Sequence, residues 1–248
     1  MTIMNEQKGD DMAENMMQHS RIRPITKHTV AQARHTVAAG GLIAVPTDTV
    51  YGVACDPMNV DAVGKLFSVK HRPRAKSIQV LLPSLRWLGE LGLELPSPLD
   101  ILAAAFLPGG FSPIARVLTS GTPLATAKKD KGWDTQAIRI PDCEPLSRIL
   151  AATGPLACTS ANLSGKTSAM TAQEAYDALG DSVELYLDGG PTASTLASTV
   201  VACDPDDPQS VHVLREGVIP AALIRQYVAQ TIPSRFRIDN GDEGSETK

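Results

Sequence analysis

The chain has 248 residues, 43% hydrophobic and 20% charged, which fits one large soluble domain or two small ones. A net charge of -4 and an aromatic content of 4% argue against a protein that coats nucleic acid by charge or stacks RNA bases on an aromatic platform. Cys55, Cys143, Cys158 and Cys203 form no CxxC pair, which argues against a zinc site or disulfide framework and fits a reducing cytoplasm.

Residues 1–23 read as a disordered extension, polar and carrying five of the seven methionines without a continuous apolar stretch. No segment approaches the ~20 apolar residues of a membrane span, so no membrane contact is expected. Val30, Ala33, Val37 and Ala38 share a helical face that Gly40 terminates. A buried strand follows at 42–45. Asn59 is placed to cap a helix presenting Ala62, Val63, Leu66 and Phe67. Residues 78–82 form another strand, and Ser97-Pro98 reads as a cap and first turn for a helix through Phe106. Strands are expected at 114–118 and 136–140, around a polar loop carrying Lys128, Lys129 and Lys131. Then come a helix at 145–152, a strand at 155–158, and a helix boxed by Thr171 and Glu174 that ends at Gly180. Strands at 183–187, 199–203 and 211–214 precede a last helix at 221–228. The alternation predicts one α/β domain over 24–230 with a twisted mixed sheet, then a polar tail over 231–248.

Five segments carry chemistry beyond core packing. PTDTVYG (46–52) puts hydroxyls at a strand end, where α/β ligand sites lie, and Gly52 there reads as permitting a sharp turn. KHRPRAK (70–76) concentrates Lys70, Arg72, Arg74 and Lys76 in seven residues. Pro73 biases Arg72 toward extended backbone, so alternate cations are expected to share a face suited to a triphosphate or to an RNA backbone. TSANLSG (159–165) offers Ser160, Asn162 and Ser164, with Gly165 allowing close backbone approach. STVV (198–201) opens a strand with two hydroxyls, and LREG (214–217) ends one with Arg215. Each also has a plain reading as a hydroxyl-rich turn or a solvated charge run. PGGFS (108–112) is Gly-rich but lacks the GKS or GKT of a Walker loop. No serine sits in a G-x-S-x-G elbow, and the histidines lack metal-ligand spacing.

Together and in this order, the segments resemble the YrdC family of threonylcarbamoyl-adenylate synthases over roughly residues 25–228. The resemblance implies an α/β domain with helices around a wide basic cavity, in the short single-domain form. It implies that L-threonine, bicarbonate and ATP, with magnesium accompanying the nucleotide, give threonylcarbamoyl-AMP and pyrophosphate. That intermediate serves the N6-threonylcarbamoyladenosine modification at position 37 of tRNA, through a downstream threonylcarbamoyl-transferase machinery. By the same resemblance Thr49, Arg116, Cys158 and Ser198 contact threonine. Arg72, Lys76, Ser112, Ser160, Ser168 and Arg215 contact ATP, and Lys70, Arg72 and Arg215 neutralise developing charge. Two departures stand out. PGGFSPIA replaces a form like PGPLTVV around Ser112, and Leu81 stands where many relatives carry a histidine near threonine. The alternative is a non-catalytic double-stranded RNA or tRNA-binding factor using the same cavity. The net charge disfavours it, as do the paired hydroxyls Thr49 and Ser198, which backbone binding does not need.

Overall fold

A computed structural model describes residues 21–129, 134–192, 194, 196–203, 210–231 and 237–239. Among the described residues, thirteen strands form one mixed sheet. They are β1 (Ile22–Pro24), β2 (Ile43–Val45), β3 (Gly52–Cys55), β4 (Gln79–Leu81), β5 (Leu93–Glu94), β6 (Phe111–Val117) and β7 (Lys128–Lys129). β8 (Asp134–Arg139), β9 (Leu156–Ser160), β10 (Leu185–Asp188), β11 (Thr199–Cys203), β12 (Ser210–Arg215) and β13 (Arg237–Asp239) complete it. The path runs β1-β10-β2-β3-β9-β4-β8-β6-β11-β12-β13, with β5 against β6 and β7 against β8.

The helices are α1 (Lys27–Ala38), α2 (Val60–Val69), α3 (Trp87–Glu90), α4 (Leu99–Phe106), α5 (Glu144–Thr153), α6 (Ala172–Leu179) and α7 (Ala221–Thr231). Strand alternation decides what each helix covers. Ala44, Val53, Cys55 and Ala157 face α2 and α6, while their neighbours Ile43, Val45, Ala54 and Leu156 face α1 and α5. At the other end Phe111, Val201 and Val211 pack on α4 and α7. On the middle strands Val80, Ala115 and Ile138 are buried in a further apolar cluster. The opposite face of those middle strands is only partly covered by helices, and the cavity described below opens there.

Local signals explain the elements. Asn59 Oδ1 accepts from the Asp61 and Ala62 amides at 3.1 and 3.0 Å, as the sequence implies for α2. Thr171 Oγ1 accepts from the Glu174 amide at 3.1 Å, but Glu174 reaches back to the Met170 amide at 2.8 Å, one residue outside a regular box. Thr26 and Thr29 make a reciprocal box at the start of α1 that no Glu or Gln advertises. Ser97 makes no side-chain cap, and Pro98 itself occupies the cap position of α4.

The expected termini need correction. Ile22 and Arg23, assigned to the extension, pair with Tyr186 and Leu187 in β1. Arg21 also ion-pairs with Asp181 at 2.9 Å. Arg237–Asp239, assigned to the tail, pair with Ser210–His212. Residues 1–20, 240–248 and Lys131 lie outside the described residues.

Candidate functional site

The uncovered face of the middle strands holds a cavity of about 580 Å³. Register builds its floor. Gln79 on β4 pairs with Cys158 on β9, and Ile114 on β6 pairs with Ala137 on β8, so each pair projects to the same side. Leu81 lies two residues beyond Gln79 on that face, where α5 covers it; it is fully buried among Leu146, Ile149 and Leu150. Gln79, rather than Leu81, lines the cavity.

Thr49, Arg72, Lys76, Cys158, Ser160, Ser168, Ser198 and Arg215 all line this one cavity, although 166 positions separate Thr49 from Arg215. The PTDTVYG loop is held by its own hydroxyls. Thr47 Oγ1 donates to the Val50 carbonyl at 2.7 Å and accepts from the Thr49 amide at 3.0 Å. Gly52 serves a close approach instead of a turn: a Cβ there would sit 2.4 Å from Cys158 Sγ. Gly165 is the reverse case, a left-handed residue at φ 85° with open space around it.

KHRPRAK does not run as an extended strip. His71 sits at φ 49°, its amide donates to Ser68 O, and the Arg72 amide donates to Phe67 O at 2.9 Å. This left-handed C-terminal motif ends α2 and turns the chain, so the four cations separate. Lys70 is 1% exposed and buried beneath TSANLSG. Its Nζ donates to the Ser160 and Asn162 carbonyls and, at 3.1 Å, to Asn162 Oδ1. All three donors are thereby used, and Lys70 shapes the loop without reaching the cavity lining. Arg72 and Lys76 reach it; Arg74 is exposed and does not. Arg72 Nη2 donates to Ser77 O at 2.7 Å, while its Nε is buried without a hydrogen-bond partner. A buried guanidinium donor without an acceptor is suited to an incoming anion.

Ser198 links Ser112 on β6 to Arg215 at the end of β12. Its Oγ accepts from Ser112 Oγ at 2.8 Å, and its carbonyl accepts from Arg215 Nη2 at 2.8 Å. Ser112 is fully buried and acts through Ser198 and Gln79, outside the lining. Gly217 allows this crossing, because a Cβ there would meet Ala197 O at 2.1 Å.

Arg116, expected beside threonine, lies outside the cavity lining, and Arg139 lies within it. Arg116 bonds Glu94 on the neighbouring β5 and does not line the cavity. Arg139, not singled out from sequence, stands beside Thr49. Its side chain is 2% exposed. Nη1 donates to Thr49 Oγ1 at 2.9 Å, Nη2 to Asp48 Oδ1 at 2.7 Å, and Nε to the Gly109 carbonyl at 2.9 Å. A charge inside the apolar run QAIRI was the available signal, since a buried charge requires a partner.

The lining includes Arg72, Lys76, Arg139, Lys166 and Arg215 and no Asp or Glu among the described residues. Burial, then Arg215, lowers the Arg72 pKa; burial, then Arg139, lowers that of Arg215. Burial also brings Lys70 down to about 8, with Arg72 adding repulsion and Cys158 opposing it. Burial pushes the Cys158 thiol up to about 12, so it is a neutral wall group and no nucleophile. Mutually repelling, partly desolvated cations favour a multiply charged anion. No cluster of three His, Cys, Asp or Glu side chains among the described residues is placed to hold a metal. No helix among them is long and apolar enough to cross a membrane.

Known proteins resemble this chain in sequence and in fold. A Mycobacterium tuberculosis protein is 31% identical over 207 residues, 84% of this chain and 92% of its own length. The Bacillus subtilis threonylcarbamoyl-AMP synthase is 34% identical over 200 residues, 80% of this chain but 56% of its own length. Pyrococcus abyssi Sua5, solved with L-threonine, superposes with a TM-score of 0.73 at 27% identity, covering 88% of this chain and 61% of that one. E. coli YciO, at 23% identity and a TM-score of 0.67, covers 81% of this chain and 94% of its own and supports the fold. The Sua5/YciO/YrdC sequence profile, described as telomere recombination, matches residues 35–217, across every segment that lines the cavity; the chain belongs to that family.

Proposed function

We propose that this protein is an L-threonylcarbamoyladenylate synthase. The observation that carries the reading is one cavity lined by both cations and hydroxyls. We assign Arg72, Lys76 and Arg215, with the Ser160 and Ser168 hydroxyls, to a cationic side for the nucleotide. We assign Thr49, Ser198, Cys158 and Arg139 to a hydroxyl-lined side with one guanidinium fixed by its hydrogen bonds. The relatives' name and the threonine bound to Sua5 support the assignment over a non-catalytic RNA-binding role.

On this reading the cationic side takes the ATP phosphates. Threonine sits on the other side, its carboxylate toward Arg139 and its hydroxyl toward Thr49 and Ser198. The threonine amine attacks the bicarbonate carbon, an N–C bond forms, a C–O bond breaks and water leaves, giving a carbamate. A carbamate oxygen attacks the α-phosphorus, an O–P bond forms, and the bond to the pyrophosphate oxygen breaks with its electron pair. Arg72 and Arg215 offset the charge that builds on the phosphoryl oxygens, and the cavity aligns the two reactants. Magnesium would accompany the nucleotide and offset part of its phosphate charge. Lys70 and Ser112 act indirectly, by shaping TSANLSG and by orienting Ser198. The labile product then passes to the machinery that modifies tRNA adenosine 37.

The test is incubation with ATP, bicarbonate and labelled threonine. Labelled threonylcarbamoyl-AMP is the expected product. Its absence from folded protein that binds both ATP and threonine refutes the reading.

A further inference from the structure

We infer that Lys128 is a positioning residue for the phosphate-binding turn at 71–77, tying it to the β7–β8 hairpin. The inference rests on the proposed nucleotide reading of Arg72 and Lys76. That turn carries Arg72 and Lys76, two of the five cations lining the cavity, yet Pro73, Arg74, Ala75, Lys76 and Ser77 are all exposed. Its internal support is local: the Lys76 amide on Pro73 O at 3.0 Å, and Arg72 Nη2 on Ser77 O at 2.7 Å. Lys128 supplies a tether from 54 positions away, its Nζ donating to the Arg74 carbonyl. The same ammonium stands 5.8 Å from the ring centroid of Phe67, which is buried in the last turn of α2.

One cation therefore bridges the end of α2, the middle of the turn and the hairpin. β7 is itself fixed, because Lys128 pairs with Thr135 and Lys129 with Asp134 on β8. β8 continues to Ala137 and Arg139 in the cavity floor. Lys128 thus references the exposed Arg72–Lys76 turn to the strand that holds Arg139. Exposed turns with few anchors are the segments that open most readily, so one long-range contact has leverage on their geometry. Lys128 is not among the residues lining the cavity, and its effect on nucleotide passes through the turn.

Lys129 is an internal control. It lies on the same two-residue strand, carries the same charge and is exposed. ATP titrations of Lys128→Ala, Lys129→Ala and Lys128→Arg compare equal charge loss at adjacent positions. Lys128→Ala is expected to weaken ATP binding about threefold to tenfold, the range for one hydrogen bond. Threonine affinity is expected to hold. Lys129→Ala should change ATP affinity less than twofold, and Lys128→Arg should restore it, since arginine can donate to the carbonyl and stack on the ring. Amide hydrogen exchange reads the tether without nucleotide: residues 72–77 should exchange faster in Lys128→Ala and unchanged in Lys129→Ala. Equal ATP effects from the two alanine variants, failed rescue by arginine, or unchanged exchange would overturn the inference. Wild-type protein that binds no ATP but shows the exchange difference would leave the tether standing and overturn its nucleotide role together with the proposed function.

Discussion

Replacing Arg139 by alanine should destabilise the fold and disable the threonine side of the cavity together. Three hydrogen bonds go at once, to Gly109 O, Thr49 Oγ1 and Asp48 Oδ1. The largest loss is the ion pair, whose side chains are 2% and 15% exposed. Removing one partner of a buried pair leaves the other charge uncompensated and costs about 3–5 kcal/mol. In a chain of this size each kcal/mol lowers the melting temperature by about 2–4 °C, so the drop should be at least about 6 °C. Much of that penalty belongs to the stranded Asp48 carboxylate and not to the lost contacts. Asp48→Ala in the same background should therefore recover part of the stability, with a coupling of about 1–3 kcal/mol. Urea denaturation of the four proteins in the cycle measures it. A loss below about 1 kcal/mol for Arg139→Ala, or strictly additive changes, would refute the buried-pair argument.

Two further outcomes follow from close packing and from burial. Gly52→Ala should cost about 1–3 kcal/mol by overpacking against Cys158 Sγ, which would lie 2.4 Å from the new Cβ. The double variant with Cys158→Ala should recover most of it, and an equal loss in both backgrounds contradicts the steric cause. Lys70 titrates at about 8 in the folded chain against 10.5 for a free lysine, chiefly because burial disfavours its charge. Between those values the unfolded chain holds more protons, so the folding stability of the wild type relative to Lys70→Met should rise from pH 8 to 10.5. The penalty is fully present below that window. A difference that stays flat or falls with pH contradicts the assignment.

What the sequence revealed, and what it hid, follows from the range of each interaction. Asn59 capping α2 is an exchange between residues two or three apart, and it was legible. The hydroxyl segments at strand ends were legible too, because strand alternation and strand ends are local properties. Arg116 and Arg139 show the limit. Both interrupt apolar strands with a charge, and the local pattern does not separate them. Register does: Arg116 meets Glu94 across β5, whereas Arg139 reaches Asp48, 91 positions earlier. The cations of KHRPRAK failed as an extended strip for a related reason. His71 adopts a left-handed conformation that sequence does not demand of a histidine, and that one residue sends Lys70 inward and Arg72 toward the cavity.

Pyrophosphate release tests the central claim most directly, because the two halves of the cavity must act on one turnover. With ATP present, release should require threonine and bicarbonate together, and each pyrophosphate should be matched by one threonylcarbamoyl-AMP. Omitting either co-substrate should reduce release to background. ATP breakdown that proceeds equally without threonine would contradict the account.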